Sequence, residues 1–210
     1  MFWLVVALGS WYLLVPILHW PIRWCLSGMA LTGVPSFLTE VRQTLTGFEF
    51  TTSLSPGQLP GQPFRPDATI ATVVDARLYS YGAALFAALT LAAWEPARWR
   101  HLLVGWVVLL PFQTLAVYAV AMKQIVLDGG PPVAAQTEWA RWQIEAIAYL
   151  YQFSTLIMPP VTAIAVWLVL HRSFVERFVG ADVLALIRSA GQTAERARTG
   201  RRSSGSVGKG

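Results

Sequence analysis

Ionisable and amide side chains beside or inside long apolar runs are where this chain could do chemistry. Each costs a few kcal/mol to hold in hydrocarbon and so calls for a partner or a purpose. Asp75, Arg77, Tyr79 and Tyr81 bring a carboxylate, a guanidinium and two phenols to the start of one such run, just before Gly82. Lys123 and Gln124 close a second run, which carries Gln113 well inside it. Trp139, Arg141, Trp142, Gln143, Glu145, Tyr149, Tyr151 and Gln152 open a third. Glu145 or Asp75 could serve as a general base, with Lys123 or Arg77 holding an anionic group, because partial burial shifts a carboxylate pKa. The same side chains could instead recognise another helix through hydrogen bonds. A plainer role competes for the aromatic and basic members: tyrosines and tryptophans anchor span ends at the interface, and Lys and Arg snorkel to water.

Helical spacing sorts these residues. Trp142, Glu145, Tyr149 and Gln152 fall on one stripe, and Gln113 and Gln124 share a face of their helix. Gln113 and Gln152 then lie about 10 Å below the surface and within reach of each other across a helix pair. Asp75 and Arg77 are expected to meet Lys123 and Glu145 in an outward-facing cluster of mixed charge. Gly82 allows a change of backbone direction or the close approach of another helix. Prolines at 16, 111, 159 and 160 free backbone carbonyls and kink their helices.

Other chemistries find little support. The single cysteine, Cys25, excludes an intramolecular disulfide framework and a Cys-rich zinc site. His19 lies six residues from Cys25, but nothing fixes the geometry that a nucleophile and its base require. His101 and His171 fall on the opposite side of the membrane from His19, so no metal site is expected. No phosphate-cradling glycine loop or nucleophile elbow occurs, and no cofactor is expected.

These residues must be positioned by membrane helices. The chain is 55% hydrophobic and 13% charged, against about 25% charged in soluble domains. Four apolar runs, near 2–20, 78–96, 101–123 and 144–170, approach the roughly 20 residues needed to cross a bilayer. The predicted fold is an all-α membrane protein: four transmembrane helices with a small extracytoplasmic β-hairpin-like insertion between helices 1 and 2. Residues 1–24 form the first helix, read as a retained signal anchor because a basic n-region is missing. Residues 25–77 form the extracytoplasmic segment, with strands at "FEFTTSL" and "TIATVVDARL" and an amphipathic interfacial helix over 32–46. A lone hairpin is barely stable in water, so this one needs support from the membrane helices or a partner. Residues 78–172 hold the other three helices, 173–190 a juxtamembrane amphipathic helix, and 191–210 a basic Gly/Ser-rich tail read as disordered.

Ten of the sixteen Lys and Arg residues fall on the side that carries residues 95–100 and the C-terminus, and six fall on the other. The positive-inside rule therefore places both termini in the cytoplasm. The net charge of +5 fits a tail held near anionic lipid better than nucleic-acid binding.

Four stretches, "VVDARLYSYGAALFAALTLA", "LLPFQTLAVYAVAMKQ", "GPPVAAQTEW" and "IAYLYQFSTLIMPP", resemble in their order the exosortase H-associated membrane proteins of Gram-negative bacteria. The resemblance covers roughly residues 69–170 and departs from the family's frequent Asn-Pro pair at Asp75-Ala76. It implies residence in the inner membrane and a partner: a multi-span exosortase that processes C-terminal sorting signals, or its tagged substrates. The motif positions it carries over are Tyr81, Gly82, Gln113, Lys123, Gln136, Trp139 and Gln152. The expected function is a non-catalytic accessory protein of a protein-sorting system that docks the enzyme or its substrate. An outer-leaflet membrane enzyme using Glu145, Lys123 or Asp75 is the alternative from another class. A small transporter subunit is a third, with few central charges and no repeat to build a pathway.

Overall fold

The computed structural model describes residues 2–32, 35–56, 68–94, 96–177 and 180. The chain divides into two compact units, 1–170 and 171–210. In the second unit, described helical residues carry an exposed Arg172–Glu176 ion pair at 2.9 Å. Most of the predicted juxtamembrane helix and all of the predicted basic tail lie outside the described residues.

The first unit opens with α1 (Phe2–Leu18) and α2 (Trp20–Leu31), bent by 41° at His19. Pro21 has no amide hydrogen to donate to Ile17, so the ladder weakens here. One residue earlier, the Pro16 carbonyl accepts from Gln43 Nε2 at 2.8 Å. Three short strands follow, β1 (Leu38–Gln43), β2 (Phe48–Thr52) and β3 (Ala71–Val74), antiparallel in the order β1-β2-β3. Next come α3 (Arg77–Ala92) and α4 (Arg98–Met122), which ends in a π-helical turn, Lys123–Leu127. The short α5 (Pro131–Gln136) precedes α6 (Arg141–Leu156) and α7 (Met158–Leu170), bent by 59° at Ile157. Pro159 and Pro160 account for that bend, because neither can donate to the carbonyls of Thr155 and Leu156.

Several expectations change. The helix expected over 32–46 is instead β1, the outer strand of a three-stranded sheet rather than a simple hairpin. A bulge between Leu38 and Glu40 brings Leu38 and Val41, three residues apart, onto the buried face. The expected strand over 69–78 stops at Val74, and the chain turns into α3 two residues later. Phe48 and Phe50 of β2 point inward and are fully buried with Val74 of β3, Ile22 and Leu26 of α2, and Val117, Met122 and Ile125 at the end of α4. Each buried phenylalanine contributes about 1.5–3 kcal/mol. The sheet is therefore supported by membrane helices, as a small insertion must be.

Among the described residues, one helix, Arg98–Leu127, is long and apolar enough to cross a membrane, and the two bent pairs raise the number to three if each is one broken span. The second apolar run forms α3, whose 16 residues reach about 24 Å, short of about 30 Å of hydrocarbon. α3 is enclosed by α1, α4 and α7. Its buried side chains (Ser80, Gly82, Ala84, Phe86, Ala88, Thr90) point around the helix rather than along one stripe. Small residues permit this enclosure.

At Gly82 the backbone of α3 closely approaches that of α7, and a Cβ there would sit 2.5 Å from the carbonyl oxygen of Pro159. Gly82→Ala should push α3 off the α6–α7 bend and lower stability by about 1–3 kcal/mol, read as unfolding in mild detergent. At Gly9 and Gly28, inside α1 and α2, a Cβ meets nothing within 4 Å, so alanine there should not destabilise and should add up to about 1 kcal/mol as the better helix former. Equal stability of Gly82→Ala and these controls would remove the close-packing account.

Candidate functional site

Most of the polar residues singled out above gather where the sheet, the start of α3, the π-turn of α4 and the first turns of α6 meet. The expected four-member charge cluster does not form. Asp75 and Arg77 pair with each other: Arg77 Nε donates to Asp75 Oδ1 at 3.0 Å and Nη2 to Oδ2 at 2.8 Å. The Arg77 backbone amide adds a third bond to Oδ1 at 3.0 Å. Its guanidinium also lies over the Tyr12 ring and donates to the Tyr12 hydroxyl at 3.3 Å. Lys123 pairs with Asp128 at 2.7 Å and stands 5.4 Å from the centre of the Tyr151 ring. Glu145 pairs on the surface with Arg141 one turn away, at 2.9 Å. Each charge is thus neutralised by a near neighbour in sequence.

The π-turn explains the Lys123 pairing. One extra residue per turn lets the Asp128 amide bond the Lys123 carbonyl at 3.2 Å and brings the two side chains together five positions apart. Gln124 then faces the sheet, where its Oε1 accepts from the Thr72 hydroxyl of β3. Gln136 spans from α5 to the loop after β2, accepting from the Ser55 amide and donating to its carbonyl, both at 3.0 Å. Gln143 caps α6 by accepting from the Ala140 amide at 2.8 Å. Trp139 packs on Phe37 with ring centres 5.5 Å apart. Tyr79 and Tyr81 are half-buried on α3.

The two deep glutamines do not meet. Gln113 is buried at 7% exposure, and its Nε2 has no hydrogen-bond partner among the described residues. It lines a cavity of about 10 Å³ between α3, α4 and α7, with Tyr79, Gly82, Pro159 and Thr162. Gln152 is exposed on α6. The stripe predicted there is real, and all four members, Trp142, Glu145, Tyr149 and Gln152, are exposed, while Ile147 is buried on the other side.

One polar contact escaped the sequence reading. His19, at the α1–α2 bend, and Ser80 of α3 are both buried and lie 2.8 Å apart, Nε2 to Oγ. Ser80 donates its single hydroxyl proton to the Ala76 carbonyl at 2.8 Å. His19 must then carry its proton on Nε2 and donate to Ser80, the reverse of what a base activating a nucleophile needs. The pair ties two helices together. Its one sequence signal was a histidine and a serine set in apolar runs. Among the described residues, no three His, Cys, Asp or Glu side chains gather as a metal site would require.

The Arg77 hydrogen bond holds the Asp75 carboxyl below its usual range, and Asp75 is ionised at neutral pH. A carboxyl with a depressed folded pKa adds stability above the unfolded value of about 3.9, and this is lost as pH falls through the folded value. Asp75→Asn should therefore cost up to about 1 kcal/mol at pH 7, since the pair is partly exposed. The gap from the wild type should close as pH drops below about 4. A gap independent of pH would show that the ion pair is not its source.

A family model for exosortase H-associated membrane proteins matches residues 1–174. No curated protein and no solved structure matches the chain. The match covers α1 through α7 and the sheet, well beyond the 69–170 stretch that carried the resemblance, and the chain belongs to the exosortase H-associated membrane protein family.

Proposed function

We propose that this protein is a non-catalytic accessory subunit of an exosortase-type protein-sorting system in the inner membrane of Gram-negative bacteria. It docks the sorting enzyme, or the membrane helix of a tagged substrate, through the exposed face of α6. On this reading the chain crosses four times with both termini in the cytoplasm, and the short α3 crosses inside a sheath of its neighbours.

The observation that carries the proposal is the α6 stripe. Trp142, Glu145, Tyr149 and Gln152 form a continuous exposed face on a helix whose other side is packed. An amide facing hydrocarbon is costly unless another helix receives it. The family name supplies the partner class. The enzyme alternative gains no comparable support: Glu145 and Lys123 are each occupied by a neighbouring charge, and Asp75 by Arg77.

Gln152→Leu tests the proposal: it should weaken co-purification with the sorting enzyme by about 3- to 30-fold, the range for a hydrogen bond between membrane helices. Gln113→Leu, a change buried away from that face, should leave co-purification unchanged and the isolated protein as stable as the wild type, or more stable, because it removes a buried donor that has no partner among the described residues. Unchanged co-purification and unchanged substrate sorting in Gln152→Leu would remove the proposal.

A further inference from the structure

An apolar groove of about 310 Å³ runs between α1, α3 and α4, apart from the polar site. Its walls extend from Val6 to Leu18 on α1, from Ala83 to Leu91 on α3 and from Trp99 to Trp106 on α4, with Ser10 supplying the one hydroxyl. The α1 wall spans twelve residue steps, about 18 Å, close to half of a 30 Å hydrocarbon core. Even the whole empty space there, about 830 Å³ with its open side included, leaves a mean section of about 46 Å² over that length. A helix about 10 Å across needs roughly 80 Å². A single hydrocarbon chain, with carbon contacts at about 3.5–4.0 Å, fits.

One end of the groove carries a collar suited to a headgroup. Trp94 closes α3 with φ of 49°, a left-handed conformation that is costly for a bulky residue. There its ring meets Trp3 edge to face, with centres 5.9 Å apart. The Arg98 guanidinium lies 5.0 Å from the Trp94 ring and 5.8 Å from that of Trp99, which also lines the groove. Arg100 is exposed two residues further on. Among the described residues, no acidic side chain pairs with Arg98 or Arg100.

We infer that this groove is a binding site for one acyl chain of an anionic phospholipid, whose phosphate sits at Arg98 and Arg100. The length and section of the groove select a chain over a helix, and Arg98 and Arg100, which flank Trp99 and pair with no acidic side chain among the described residues, select a negative headgroup. Tryptophans at that level are where a bilayer interface places them. The inference stands apart from the docking role of α6, since it uses other helices and the opposite end of α4.

The test is native mass spectrometry of the full-length protein in mild detergent, titrated with phosphatidylglycerol or phosphatidylcholine of identical acyl chains. The wild type should retain phosphatidylglycerol at about 30-fold lower concentration, about fivefold per arginine. Ala87→Phe should fill the groove and abolish both adducts. Arg98→Gln with Arg100→Gln should leave phosphatidylcholine binding unchanged and erase the preference; this pair lies outside the groove wall and stays informative if Ala87→Phe fails to fold. Equal affinity of the wild type for the two lipids, or an unaltered preference in the double variant, would overturn the inference. So would Ala87→Phe keeping its lipid adducts while losing a co-purifying protein, which would assign the groove to a helix.

Discussion

A backbone carbonyl or amide in hydrocarbon must find a partner inside the protein, and this constraint organises the molecule. Two helix pairs are broken by proline, and both breaks abut α3 or the sheet. At the first, the Pro16 carbonyl is received by Gln43 of β1, and His19 reaches Ser80 of α3. At the second, the Pro159 carbonyl lies so near Gly82 that no side chain fits between them. α3 is thus clasped at both breaks. The sheet depends on the same breaks, since the bend at His19 lets α2 bring Ile22 and Leu26 over Phe48 and Phe50.

This arrangement explains what the sequence disclosed and what it concealed. Length and hydropathy were enough to place the apolar runs, and β-branched and aromatic residues marked β2 and β3. β1 was misread because its bulge puts Leu38 and Val41 on one face at a spacing of three, which imitates a helix. α3 was read as one more transmembrane span, and its enclosure went unseen because apolar composition does not distinguish lipid from neighbouring helices as the surroundings. Its alanines and Gly82 are contact residues.

Where the polar residues fall along the helices was legible, and their pairing was not. Many of the residues chosen for insertion cost lie near the sheet, Gln113 and Gln152 apart from it, and the α6 stripe follows directly from helical spacing. Two of the charge partners were missed because they lie close in sequence at an unusual offset. Asp75 and Arg77 pair two positions apart across a strand-to-helix junction, and Lys123 reaches Asp128 through a π-turn. Neither junction leaves a periodic trace. Gln113 was marked by its type and depth, but that its donor finds no partner is a property of the packed structure alone.

The unbroken helix sets the scale for the rest. From Arg98 to Leu127 it has 30 residues, about 45 Å, which matches a bilayer with its headgroup layers. A helix of this length can carry its two ends to opposite interfaces. The end at Lys123 carries the sheet, the π-turn and the polar residues of the proposed docking face; the end at Arg98 carries the tryptophan collar. α3 is about 6 Å shorter than the hydrocarbon it would have to cross. A lipid-exposed helix would meet that mismatch by deforming the bilayer. Here α1, α4 and α7 enclose α3, so its neighbours absorb the difference, and the partly exposed Asp75 and Arg77 at its head neutralise each other. The acid and arginine at the head of α3 are then a consequence of its enclosure. A short central helix can begin with charge when the proteins around it, rather than lipid, are its solvent.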